Sequence, residues 1–291
     1  MMNVPLSNAL TPDAEMLDFP ADVARLRGHL HRPRTQPLAA AVLHGATGVP
    51  QRFYQPFAAW LAEQGIACLT YDYRDFGASR TGAARASQAT MVDWGLRDQA
   101  AAQVALEAAV PEAPVWVIGH SLGALMLPFQ PGARRVSRLI SVASGTVHFS
   151  DHTSYGKLVA GQFWYGPTPA IVALMGCLPG RMFGLSEDLP SGVYWQWRRW
   201  CTTRGFYFRD IERVLPAPDL QAFAGRARFV AVEDDWMTPK ASAWRLMQMY
   251  PNAICRQKVL RAADYGLHRI GHIAAFARDN HAIWPDLIAD D

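Results

Sequence analysis

A short apolar run, Val115-Trp-Val-Ile118, passes without a break into Gly119-His120-Ser121-Leu122-Gly123 and then into the helix-compatible Ala124-Leu-Met-Leu127. Strand, tight turn and helix in immediate succession leave few folds open. Glycine at 119 and 123 lets the chain turn sharply at Ser121 in strained backbone geometry, where side chains on those two neighbours would crowd the adjoining elements. The Ser121 hydroxyl is then held up at the start of the helix. There the Leu122 backbone N–H faces any oxyanion that develops beside the hydroxyl, aided by the positive end of the helix dipole.

The rest of the chain supplies the frame such a turn needs. After an extended lead-in over the first twenty residues, strands are expected at 23–31, 38–44, 66–71, 115–118, 139–143, 229–232 and 254–260. The run 38–44 is apolar throughout, as in a strand buried on both faces. Between the strands lie helical stretches: 53–64, with Phe53, Phe57, Trp60 and Leu61 at helical spacing and Gly65 as its stop, 91–109, one from Ser121, one containing Trp244, Leu246 and Met247, and a last one at 273–279. Alternation of this kind specifies an α/β fold with a mostly parallel central sheet and right-handed crossovers. One connection, from Ala143 to Arg228, is far longer than a strand-to-helix step requires. It carries Trp164, Tyr165, Tyr194, Trp195, Trp197 and Trp200 among scattered Gly and Pro. The expected organisation is therefore a core in two parts, 1–144 and 217–291, with a mostly helical cap inserted at 145–216. Its aromatic residues either line a pocket for a hydrophobic group or pack against one another.

Composition narrows the partners. Half of the 291 residues are apolar and the formal charge is only +3, with no basic run longer than a pair, which argues against nucleic acid. No stretch reaches the roughly 18 uncharged apolar residues of a membrane helix. Asp13, Glu15, Asp18 and Asp22 stand where a signal peptide would be basic and then apolar, so a cytoplasmic protein is expected. Cys68, Cys177, Cys201 and Cys255 are widely spaced in apolar surroundings and read as reduced core residues.

A serine hydroxyl is a poor nucleophile until a base takes its proton and a third group orients the base. In a parallel sheet both partners come from loops at the same strand ends as Ser121. The loop after 229–232 offers Glu233, Asp234 and Asp235, of which Asp235, four residues before Pro239, is the first choice, Asp234 the second and Glu233 the third. The loop after 254–260 offers His268 and His272. His272 follows Gly271, which permits close approach, and precedes an apolar helix that anchors the loop, so it is preferred. A metal pair of His268 and His272 lacks both the Glu-bearing pattern and a third ligand nearby, and no metal or cofactor is expected. The second oxyanion donor should come from His44-Gly45-Ala46-Thr47-Gly48, with Ala46 N–H first and Thr47 N–H next.

Taken together, His44-Gly-Ala-Thr-Gly48, Phe53-Tyr54, Tyr71-Asp-Tyr-Arg-Asp-Phe-Gly-Ala-Ser79, Gly119-His-Ser-Leu-Gly123, Asp235-x-x-x-Pro239 and Gly271-His272 resemble the α/β-hydrolase superfamily. The likeness is to its esterase/lipase and serine-aminopeptidase-like branch. The resemblance implies an α/β-hydrolase fold in which Ser121 attacks a small-molecule ester or acyl substrate, His272 shuttles the proton, Asp235 orients His272, and Ala46 and Leu122 hold the oxyanion. Two positions depart from the family pattern: Asp75 where a glycine is usual, and Ala124 where a second glycine commonly follows the nucleophile turn. Both bear on substrate shape rather than on the three reacting groups. A dinucleotide fold would need a Gly-x-Gly-x-x-Gly turn after its first strand, and the Walker phosphate loop is also absent. A dehalogenase type would carry Asp at 121 and a dienelactone-hydrolase type Cys. An acyltransferase using the same three residues, and a silent hydrolase-fold binding protein, stand as the alternatives.

Overall fold

The structure is a computed structural model, and it describes residues 14–290. Its strands are β1 (Ala14–Ala21), β2 (Ala24–His31), β3 (Ala39–His44), β4 (Ile66–Tyr71), β5 (Val115–His120), β6 (Val136–Val142), the short pair β7 (Cys177–Leu178) and β8 (Leu189–Pro190), β9 (Arg226–Val232) and β10 (Ile254–Leu260). Its α-helices are α1 (Gln55–Glu63), α2 (Gln99–Ala109), α3 (Ser154–Tyr165), α4 (Thr168–Met175), α5 (Ser191–Thr202), α6 (Lys240–Leu246) and α7 (Trp284–Ile288). Eight strands form one sheet in the order β1-β2-β4-β3-β5-β6-β9-β10. The β1–β2 hairpin and the β2–β4 pair are antiparallel, and all other pairs in this sheet are parallel.

The central parallel strands β3, β4 and β5 are buried at nearly every position because helices cover both faces, whereas the edge strand β10 carries Arg256, Gln257 and Lys258 and is exposed or half-buried over most of its length. Successive side chains point to opposite sides. Val42, Leu69, Val117, Leu139 and Phe229 therefore enter one core layer with Trp94 and Leu106. Their neighbours Leu43, Cys68, Ile118, Ile140 and Val230 enter the other with Phe57, Phe276 and Trp284. Register aligns His44 with Gly119, His120 with Val142, and Val142 with Val230. Hence the loops that follow β3, β5, β6, β9 and β10 all leave the sheet at one edge. All four cysteines are free thiols, with Cys68, Cys177 and Cys201 buried. Among the described residues no helix is long and apolar enough to cross a membrane.

Four local expectations need correction. The part of the lead-in from Ala14 is a strand, β1, closed onto β2 by a two-residue turn in which Asp22 has φ 58°; residues 1–13 lie outside the described residues. The helix expected from Ser121 is instead three 3₁₀ turns, Ser121–Ala124, Leu127–Phe129 and Pro131–Arg135, because Pro128 and Pro131 lack the N–H an α-helix would use. The helix expected at 91–109 opens with a π-turn, Asp93–Asp98, before α2. The last helix is not at 273–279, which holds 3₁₀ turns, but at α7, where Pro285 fits the first turn. Asp75 takes the left-handed conformation usual for glycine, with φ 56°, and its carboxylate accepts the Ser87 hydroxyl at 2.6 Å.

The segment between β6 and β9 contains α3, α4, α5 and the β7–β8 pair, and it touches loops at the edge that carries Ser121. His152 Nδ1 donates to the Trp236 carbonyl at 3.0 Å, Gln196 Oε1 accepts from Val92 N–H at 2.9 Å, and Glu187 pairs with Arg52 and Arg80. Most of its aromatic rings pack on one another. Phe163 meets Phe183, Tyr194 and Trp197 edge-on at 5.6 Å each, and Trp200 donates to Asp210 at 2.6 Å.

Candidate active site

Ser121 follows β5 with φ 54°, a left-handed conformation that costs a non-glycine residue about 1–2 kcal/mol. The turn persists because its surroundings clamp it. Added Cβ atoms would lie 2.4 Å from Ala124 N at Gly119 and 2.0 Å from the His44 carbonyl oxygen at Gly123. From just past the end of β6, Ser144 Oγ donates to the Ser121 carbonyl at 2.5 Å. Because the atom facing Gly123 belongs to the backbone of a buried strand, Gly123→Ala has no cheap relaxation. It is expected to destabilise the protein by about 3 kcal/mol, a fall in melting temperature of roughly 10 °C. A thermal melt checks this, and an unchanged midpoint would contradict the packing described.

The three acidic residues after β9 separate cleanly. Glu233 is exposed and pairs with Arg261 at 3.1 Å. Asp234 accepts the Ile270 and Gly271 N–H groups at 3.0 and 2.8 Å, which pins the loop carrying His272. Asp235 is buried, and its Oδ1 accepts the Met237 and Thr238 N–H groups at 2.8 and 3.0 Å. That leaves Oδ2, which lies 2.7 Å from His272 Nδ1, while His272 Nε2 lies 3.0 Å from Ser121 Oγ. A carboxylate only accepts, so Nδ1 carries the imidazole proton and bare Nε2 accepts from the serine hydroxyl. Both His272 nitrogens are thus committed, and His268 is exposed, so the two do not form a metal pair.

The N–H groups expected to hold an oxyanion are less evenly placed. Leu122 lies in the 3₁₀ turn that begins at Ser121, where the first N–H groups lack intrahelical acceptors. Ala46 N–H, by contrast, donates to Tyr54 Oη at 2.8 Å. Val49 N–H closes a turn onto Ala46 O at 3.1 Å, with Gly48 at φ 79°, and Thr47 N–H has no acceptor among the described residues. The methyl carbons of Leu185 lie 3.1 Å from where a Cβ on Gly48 would stand, so the inserted segment covers this loop. The sequence places Tyr54 and His120 inside motifs of the family resemblance but assigns neither a role, and nothing in it singles out Ser144.

A sequence model of the family described as "Alpha/beta hydrolase family" matches residues 41–282. No curated protein sequence matches the chain. Among solved structures, a soluble variant of the monoglyceride lipase from Saccharomyces cerevisiae superposes with TM-score 0.64 at 14% identity, over 97% of this chain and 96% of that one. A thermophilic esterase from Thermogutta terrifontis gives 0.53 at 14% identity, over 93% and 96%. The acylaminoacyl peptidase from Pyrococcus horikoshii gives 0.57 at 10% identity over 94% of this chain, which spans only 40% of that protein. At such identities the likeness is one of fold.

Proposed function

Because the chain belongs to the alpha/beta hydrolase family, we propose that it is a serine hydrolase that cleaves a carboxylic ester or related acyl bond. Ser121 is the nucleophile, His272 the base and acid, and Asp235 the group that orients His272. One observation carries this reading: an unbroken line from buried Asp235 through His272 to a serine held in left-handed geometry.

The chemistry follows from that line. Ser121 Oγ attacks the acyl carbon while His272 Nε2 takes its proton, and Asp235 balances the imidazolium that results. Charge on the former carbonyl oxygen is met by Leu122 N–H and by the loop after β3. There Thr47 N–H, the alternative to Ala46, is the uncommitted donor. His272 returns the proton to the departing alcohol, which leaves an acyl-Ser121 intermediate. Water activated by the same imidazole then releases the acid.

Residues 145–216 act as a cap over this edge. Phe163, Trp164, Tyr194 and Trp197 hold the cap together by packing on one another, while Tyr165 and Trp195 remain exposed. A p-nitrophenyl ester series from acetate to dodecanoate tests the proposal: turnover is expected with one preferred acyl length, and folded protein that hydrolyses none of them would reject it.

A further inference from the structure

Two polar side chains beside the site have no part in the chemistry above. Tyr54 is 1% exposed and His120 0%, and their hydrogen bonds form one chain. His120 Nε2 lies 2.9 Å from the main-chain carbonyl oxygen of His272. That oxygen only accepts, so Nε2 carries the proton. Burial, with His272 close by, pushes the His120 imidazole down to about 3, so it is neutral and Nδ1 is bare. Tyr54 Oη, 2.8 Å from Nδ1, therefore donates to it, and the same oxygen accepts the Ala46 N–H at 2.8 Å. Every proton has one direction: Ala46 to Tyr54, Tyr54 to His120, His120 to the His272 carbonyl. The rings also interlock, Tyr54 edge-on to His120 at 5.8 Å and to Phe276 at 5.4 Å, with His120 and His272 5.4 Å apart.

We infer that Tyr54 and His120 are positioning residues: a buried relay that ties the oxyanion loop to the main chain of the general base and fixes the spacing between them. The inference rests on the function proposed above. Neither residue touches substrate. An apolar pair of similar volume would fill the space but leave Ala46 N–H and the His272 carbonyl without these partners. Spacing matters because a misplacement of about 1 Å at a reacting group costs on the order of a hundredfold in rate.

The test compares Tyr54→Phe, His120→Gln and the double variant on the best p-nitrophenyl ester. Glutamine reaches the Nε2 position and can still donate to the His272 carbonyl, but it gives Tyr54 no Nδ1. Each single change is expected to lower kcat about tenfold to a hundredfold with KM within about twofold, because distance rather than binding is lost. The double variant is expected to be no worse than the poorer single, since either change already cuts the relay. Packing roles alone would give wild-type kcat per folded molecule or losses that multiply, and either result overturns the relay. If Tyr54→Phe fails to fold, His120→Gln decides: wild-type kcat there overturns the inference and a lowered kcat with unchanged KM supports it. Wild-type protein that turns over no ester removes the proposed function and the relay with it. Active wild type with an unaltered Tyr54→Phe removes the relay alone.

Discussion

Ser121→Ala is expected to lower kcat/KM for a p-nitrophenyl ester by about 10⁴- to 10⁶-fold, since no other group can form the acyl intermediate. The melting temperature should move little. Alanine meets the same left-handed backbone penalty, and the side chain surrenders only its bond to His272 Nε2 at 3.0 Å. The clamps on the turn, the glycine contacts and the Ser144 bond to the Ser121 carbonyl, involve main chain and survive the change. Steady-state kinetics beside a thermal melt separate the two effects. A loss smaller than about tenfold would mean that a different group attacks.

The second large effect distinguishes two adjacent carboxylates. Asp235→Asn is expected to cost about 10³- to 10⁴-fold in kcat, because an amide N–H₂ facing His272 Nδ1 favours the tautomer with its proton on Nε2, where it can no longer accept from Ser121. Asp234→Asn is expected to stay within about tenfold of wild type. Its oxygens accept from Ile270 and Gly271 N–H, and an amide oxygen can keep one of those bonds. Equal losses from the two changes would place the orienting role elsewhere in the loop.

These adjacent residues also show where sequence reading reaches its end. The serine turn was legible because Gly119 and Gly123 answer a local steric demand that any chain making this turn must meet. The parallel sheet was legible because burial on both faces leaves continuous apolar runs such as 38–44. The choice among Glu233, Asp234 and Asp235 rested on their distance from Pro239, whereas the structure separates them by where each backbone N–H donor lies. That is long-range information absent from local pattern. The same holds for Ala46: only the fold brings Tyr54 against its N–H. Strand β1 was missed because Met-Leu-Asp-Phe lacks clean alternation and draws its stability from pairing with β2. The helix expected after Ser121 is broken up by Pro128 and Pro131, of which apolar spacing alone takes no account.

Reaction of the folded protein with a fluorophosphonate, followed by mass spectrometry of its peptides, asks directly which side chain is activated. A single phosphonyl adduct on Ser121 is expected, formed in wild type and sharply slowed by Asp235→Asn. An adduct on another residue, or none on folded and ester-active protein, would contradict the role proposed for Ser121.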